Sequence, residues 1–222
     1  AVLIAKEGQV VFSKGYGIAD INTKELINPH TIFNTGSVSK TIVSNAILLL
    51  EQRNLLSVDD NLLKYFPDFK NKKNAEQVQI KHLLSHVSGL PDNRKKKKNH
   101  AFYLTADDAQ NFAPVQQADK LEFAPGSRYK YSNPAFNALA LIIEKITGSK
   151  WQQFVRTEIF AKAEMTESDI TDGSHPETGV AHGYEKQNGG FKELDYGEEP
   201  TFCAAGNGGI WCSVTDLHKY YL

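Results

Sequence analysis

The sequence predicts an α+β fold: an antiparallel sheet with flanking helices, joined to a mostly helical domain. Three observations carry that reading. Residues 1–21 alternate short apolar runs with glycine turns, as hairpins do. Most later apolar segments, above all residues 42–50 and 135–147, are long enough and apolar enough to read as buried helices. Strands come first and helices follow, without the strand–helix alternation that builds a parallel sheet. On this basis residues 1–56 form the N-terminal part of the sheet domain with the helix after Ser37, and residues 57–222 form the mostly helical domain.

Taken in order, residues 1–5 are apolar, Lys6-Glu7-Gly8 is a turn, and residues 9–13 resume with Val10, Val11 and Phe12. That is a hairpin in which Gly8 supplies positive φ. Residues 15–21 extend again before a loop over 22–30. The segment 41–50 leaves almost no polar stripe, so its helix is central rather than superficial. Residues 62–66 form a short helical piece stopped by Pro67. Residues 81–86 lead into the stop Ser88-Gly89-Leu90-Pro91, and Thr105 is expected to cap a helix starting at Ala106. Pro125-Gly126 introduces residues 129–133, and residues 135–147 form a strongly apolar helix closed by Gly148. Residues 151–160 form an amphipathic helix with Trp151, Phe154 and Val155 on one side, and residues 213–217 start a last helix. Because the sequence stops so soon after that start, further strands are expected beyond Leu222.

The bulk numbers exclude some classes of function. A chain of 222 residues, 41% hydrophobic with a formal charge of -1, has no charge excess that would favour nucleic acid or an anionic membrane. The basic run Arg94-Lys95-Lys96-Lys97-Lys98 has no aromatic platform beside it and reads as a solvated loop. No apolar run reaches the length of a membrane span. The start Ala1-Val2-Leu3-Ile4 lacks the length and basic flank of a signal peptide and reads as a strand entered midway. Cys203 and Cys212 are too few for a disulfide framework and read as buried thiols.

The chemistry concentrates at Ser37-Val38-Ser39-Lys40, at the mouth of the apolar helix. A serine three residues before a lysine puts hydroxyl and amine on one face, a turn apart. Serine must lose its proton as it attacks. A lysine can take that proton if burial lowers its pKa toward neutrality. The helix N-terminus adds unpaired N–H groups that favour negative charge near Ser37. The motif alone is equally compatible with an N-capping serine beside a solvated lysine. A second match, Ser127-Arg128-Tyr129-Lys130, follows a turn pair and opens no buried helix, so it reads as accidental.

Tyr131-Ser132-Asn133 precedes the second apolar helix, where side chains can project from a rigid support. A phenol near a lysine can shuttle a proton, and an asparagine amide can bind a substrate amide; turn residues of the same types need do neither. His82 and His86 have the spacing of zinc ligands, yet no third ligand or glutamate base accompanies them. They read as histidines that cap or pack a helix end, and no metal is expected.

The run 31–40, residues 55–60, the stretch His82-Leu83-Leu84-Ser85-His86-Val87-Ser88-Gly89-Leu90, Pro125-Gly126 and Tyr131-Ser132-Asn133 together resemble the serine β-lactamase-related family. That family includes class C β-lactamases, D-Ala-D-Ala carboxypeptidases, D-aminopeptidases and esterases. Ala163-Glu164-Met165-Thr166-Glu167-Ser168 resembles a family turn in which glycine is usual at position 164. Residues 204–217 resemble its glycine-rich loop and following helix.

The resemblance implies Ser37 as acylated nucleophile, Lys40 as its proton acceptor or electrostatic partner, Tyr131 as second acid/base group and Asn133 as binder of the substrate amide. It implies a serine hydrolase acting on a small-molecule or peptide substrate at the interface of the two domains, with no cofactor. It favours a periplasmic or extracytoplasmic location and leaves the oligomeric state open. The family's third motif, Lys or His, any residue, then Gly on a strand, is expected after Leu222, since Lys6-Glu7-Gly8 is out of order. The alternative is a catalytically silent relative that binds peptidoglycan-like peptides or a protein partner.

Overall fold

A computed structural model describes residues 1–92, 94, 106–170, 172–173, 178–193 and 202–222, with backbone alone at 172–173 and 202–203. By contacts the chain divides into two units. The first holds residues 1–36, 156–204 and 209–222, and the second holds residues 37–155 and 205–208. The division falls at Gly36 rather than at residue 56, because the helix after Ser37 packs its apolar face on later helices.

In the first unit, β1 (Val2–Lys6) and β2 (Gln9–Lys14) form the expected antiparallel hairpin, with Lys6 opposite Gln9. Both turn residues are left-handed, Glu7 at φ 51° and Gly8 at φ 77°, a geometry whose twist matches that of the flanking strands. β3 (Ile18–Asp20) pairs with β4 (Glu25–Leu26), so the expected loop over 22–30 contains a short strand. Lys24, at φ 65°, makes that return by donating its N–H to the Asp20 carbonyl. β5 (Phe33–Asn34) belongs to a three-stranded antiparallel sheet that is completed by β6 (Asp169–Ile170) and, at its centre, β11 (Ile210–Cys212). Two further pairs join β7 (Asp172–Gly173) to β10 (Phe202–Cys203), and β8 (Tyr184–Gln187) to β9 (Gly190–Glu193). The last helix of the chain, Val214–Tyr220, is capped by Ser213 and packs on β1. Its buried Asp216 accepts hydrogen bonds from Glu167 N (2.7 Å), Ser168 Oγ (2.8 Å) and Lys219 Nζ (2.9 Å), which ties residues 167–168 to this helix.

The second unit is helical. A 3₁₀ turn, Gly36–Val38, leads into α1 (Ser39–Gln52). There follow α2 (Leu62–Tyr65), α3 (Lys72–Gln77), α4 (Ile80–Leu84), α5 (Asp108–Gln116), α6 (Asn133–Thr147) and α7 (Trp151–Val155). Numbered in this series, the C-terminal Val214–Tyr220 is α8.

Helix α6 organises the unit and packs against α1, α4, α5 and α7. Its boundaries follow from local chemistry. Ser132 Oγ accepts the Ala135 N–H, Pro134 sits in the first turn, and Gly148 ends the helix at φ 71°. Leu139, Ile142 and Ile143 are fully buried, each contributing about 1.5–3 kcal/mol. The cap of α5 is Asp107, whose carboxylate accepts the Gln110 N–H at 2.7 Å; the expected cap Thr105 lies outside the described residues. The helix expected over 151–160 is α7 followed by a π-helical turn, Arg156–Phe160, closed by the bond from Ala161 N to Arg156 O.

Candidate active site

Ser37 lies in the 3₁₀ turn and Lys40 in the first turn of α1. In a 3₁₀ turn residues three apart eclipse one another, and Lys40 Nζ comes within 3.2 Å of Ser37 Oγ. The serine is exposed, whereas the lysine is buried, with 5% of its surface accessible. Burial therefore lowers the Lys40 pKa from the usual amine range. The Tyr131 phenol works against that shift, and the Arg94 charge adds to it. Lys40 also donates to the Asn207 carbonyl at 2.6 Å.

The third group arrives from far along the chain: Tyr131 Oη donates to Ser37 Oγ at 2.9 Å. Burial works to raise the phenol's pKa, but the neighbouring Lys40 and Ser37 outweigh it, and the net shift is downward. The Lys40 ammonium also lies 5.2 Å from the centre of the Tyr131 ring. Hydroxyl, amine and phenol, singled out separately in the sequence, thus meet at one oxygen.

Tyr131 is held by residues 86–89. The carbonyls of His86, Val87 and Gly89 accept from Lys130, Gly126 and Glu122 N–H, each at 2.8 Å. Gly89 must be glycine, because φ is 71° and a Cβ would overlap the Phe123 carbonyl. His86 is left-handed at φ 58°, accepts the Ser132 N–H on Nδ1 at 3.1 Å, and packs its ring 4.4 Å from that of Tyr131. Burial first, then the Lys40 charge, lowers its pKa, so its neutral form is favoured. The sequence reading of His86 as a packing residue holds, with a consequence it lacked: the imidazole backs the phenol. His82 Nδ1 accepts the Gln79 N–H at the start of α4. Among the described residues no cluster could hold a metal.

Asn133 is the first residue of α6, half-buried and two positions after Tyr131. No hydrogen bond engages its amide among the described residues, and the structure brings it to the site by sequence proximity alone.

Other groups at Lys40 were not foreseen. Residues 205–208 make a tight turn, with Gly208 N bonded to Ala205 O at 2.8 Å, and this turn presents the Asn207 carbonyl. It presses on α6 so closely that a Cβ on Gly206 would lie 2.7 Å from Ala140 Cβ and nearer still to the Phe136 carbonyl. The Gly206 N–H donates to Asp108 Oδ1 at 2.8 Å. Asn137 Nδ2 donates to Asp108 Oδ1 at 2.8 Å and to Asn207 Oδ1 at 3.0 Å. Trp151 Nε1 donates to Asp108 Oδ2 at 2.9 Å.

The remaining candidates resolve simply. Ser127 bonds the Ala124 carbonyl and Lys130 pairs with Glu122, so the second Ser-x-x-Lys is a turn and an ion pair. Arg94 corrects the solvated-run reading: its side chain is fully buried and bonds Asp92 and Asn111. Lys95, Lys96, Lys97 and Lys98 lie outside the described residues, as does the Cys203 side chain. Cys212 is a free, buried thiol whose pKa burial pushes up to about 11. No helix among the described residues is long and apolar enough to cross a membrane.

Comparison with known proteins gives the family of the chain. The chain is 29% identical over 197 residues to protein flp of Staphylococcus aureus strain N315, covering 84% of this chain and 38% of flp. It superposes on the octameric penicillin-binding protein homologue of Pyrococcus abyssi with a TM-score of 0.82 at 27% identity, over 99% of this chain and 50% of that one. The penicillin-binding protein of Bacillus halodurans gives a TM-score of 0.78 at 28% identity, over 92% and 62% of the two chains. The chain thus spans about half the length, or less, of relatives such as flp and the Pyrococcus homologue. The family model described as Beta-lactamase matches residues 1–222, and the chain belongs to the beta-lactamase family.

Proposed function

We propose that the protein is a serine hydrolase that works through an acyl-enzyme on Ser37, with an amide, β-lactam or ester carbonyl as substrate. The supporting observation is the convergence of Lys40 Nζ (3.2 Å) and Tyr131 Oη (2.9 Å) on Ser37 Oγ. As the Oγ–C bond forms, the serine proton passes to the Lys40–Tyr131 pair, whose two groups titrate as one unit. The carbonyl oxygen becomes negative and is stabilised in part by the Ser37 N–H at the mouth of the helix. The same proton then goes to the leaving nitrogen or oxygen as its bond to carbon breaks. Water attacks the ester and restores the serine. Asn133, unengaged and next to the phenol, is suited to bind the substrate amide.

Two features of the second unit favour this reading over a silent binding module. Lys40 is buried with a lowered pKa, a state of no use to a peptide-binding groove, and the nucleophile is exposed. The test is turnover of a chromogenic cephalosporin, a D-alanyl peptide and a short-chain nitrophenyl ester, side by side, by the full-length protein and its Ser37→Ala variant. Hydrolysis of at least one class, lost in the variant, is expected. Activity that survives Ser37→Ala, or binding without turnover of all three, contradicts the proposal.

A further inference from the structure

Asp108 has no place in the acyl transfer just described, yet it is the most deeply buried acid bonded near the site, 6% exposed on the first turn of α5. Among the described residues all its bonded neighbours are donors: Asn137 Nδ2 and Gly206 N at 2.8 Å on one oxygen, Trp151 Nε1 at 2.9 Å on the other. A backbone N–H and an indole N–H cannot accept, so the ionised carboxyl, an acceptor on both oxygens with no proton of its own to place, suits all three best. Two of the donors belong to the chain of contacts that ends at Lys40. Gly206 precedes Asn207, whose carbonyl takes the Lys40 ammonium at 2.6 Å. Asn137 uses its other amide hydrogen on Asn207 Oδ1 at 3.0 Å, and its own buried Oδ1 has no partner among the described residues. An amide that gives up its oxygen to satisfy two acceptors is oriented by them.

We propose that Asp108 is a positioning residue: its carboxylate clamps Gly206 and, through Asn137, Asn207, and so aims the Asn207 carbonyl at Lys40. Loss of its charge or its acceptor geometry loosens the turn. Lys40 then loses the carbonyl that stabilises its ammonium form, and its pKa falls. Burial pushes the Asp108 pKa up to about 7, against the three donors, with Glu144 raising it further, so the clamp weakens on mild acidification. The other groups acting on the Lys40 charge are Tyr131 and Arg94, and His86 also feels that charge.

The proposal rests on the reading of Lys40 as partner to Ser37, but its primary test does not need turnover. The Lys40 side chain is titrated by NMR in full-length protein carrying isotope-labelled lysine, in wild type, Asp108→Asn and Asn207→Ala. Asp108→Asn is expected to lower the Lys40 midpoint by about one unit. Asn207→Ala, which keeps the carbonyl and removes only the link to Asn137, lowers it by less. In acylation assays the same variants lose about tenfold or more in rate with substrate binding within twofold, and the pH limb set by Lys40 moves to lower pH. A Lys40 midpoint unchanged in the folded variants overturns the proposal, whatever Ser37 does. Should Asp108→Asn fail to fold, Asn207→Ala decides alone. A reactive wild-type Ser37 with unaltered variants refutes the clamp and leaves the hydrolase reading standing. An unreactive wild type with a shifted midpoint does the reverse.

Discussion

Replacing Gly206 by alanine tests whether the turn at 205–208 places the Lys40 acceptor. Gly206 has no positive φ, so the backbone itself accepts alanine without strain. The obstacle is space. The new Cβ would meet Ala140 Cβ at 2.7 Å, with the Phe136 carbonyl closer still. Ordinary carbon–carbon contact is about 3.5–4.0 Å, so roughly 1 Å must be found. Helix α6 is packed by four neighbours and cannot give that distance cheaply, so the turn moves. A shift of about 1 Å stretches the 2.6 Å bond from Lys40 to Asn207 O beyond hydrogen-bond range. A bond to a charged group is worth about 1.5–3 kcal/mol, which converts to a loss of roughly 10–100-fold in acylation. The overpacking also costs about 1–3 kcal/mol of stability, a fall of several degrees in Tm. The assay is the pseudo-first-order rate of Ser37 labelling by an activated acyl phosphonate, run beside a thermal melt. Wild-type labelling in a destabilised Gly206→Ala protein would refute the link between turn and lysine. A rate that falls only with the folded fraction would do the same.

Other expectations follow from the same geometry. Tyr131→Phe removes the hydroxyl 2.9 Å from Ser37 and should slow acylation by about 10²–10⁴-fold while leaving Tm within a few degrees; a near-wild-type rate would remove the phenol from proton transfer. His86 has its pKa lowered in the fold, so the unfolded chain binds its proton first as pH drops through about 6.5, and stability falls on acidification. His86→Asn, which tolerates the left-handed φ of 58°, should show a shallower loss of unfolding free energy between about pH 7.5 and 5 than wild type. The comparison between the two proteins isolates His86 from Asp108, whose raised pKa acts in the opposite sense. Glu164 sits at φ 55°, where a side chain costs about 1–2 kcal/mol and glycine costs only chain entropy. Glu164→Gly should therefore stabilise the protein by about 0.5–1 kcal/mol in denaturant titration, and a destabilised variant would show that the side chain contributes more than its strain.

How much of this was legible in the sequence depended on range. Ser37 and Lys40 could be paired because their juxtaposition is local, a matter of one helical turn. The C-terminal end of α6 could be placed from Gly148 for the same reason, whereas its start lies two residues before the expected position 135, where Ser132 caps it and Pro134 sits in the first turn. The resemblance of residues 163–168 to a family turn marked an acid where glycine is usual, and the left-handed φ of Glu164 explains why glycine suits that position. Tyr131 could be singled out as a candidate, but not its contact with Ser37, which spans 94 residues. The Asn207 carbonyl left no trace at all, since every residue carries a carbonyl and only the fold decides where one points. Gly206 was visible within a glycine-rich stretch, yet its reason, the close approach to α6, requires coordinates. Arg94 was misjudged because four lysines follow it, and composition averaged over the run concealed its buried bonds to Asp92 and Asn111. The division at residue 56 placed α1 with the strands before it. Connectivity suggested that grouping, whereas the apolar face of α1 packs on α6 and α7.

The most direct measurement is the site of covalent modification. Full-length protein treated with an activated acyl phosphonate, digested and mapped by mass spectrometry should carry one adduct, on the peptide containing Ser37. Lys40→Met should abolish that adduct on the same timescale without loss of fold. An adduct on another residue, or undiminished labelling of Ser37 when the lysine is gone, would contradict the claim that this amine activates this hydroxyl.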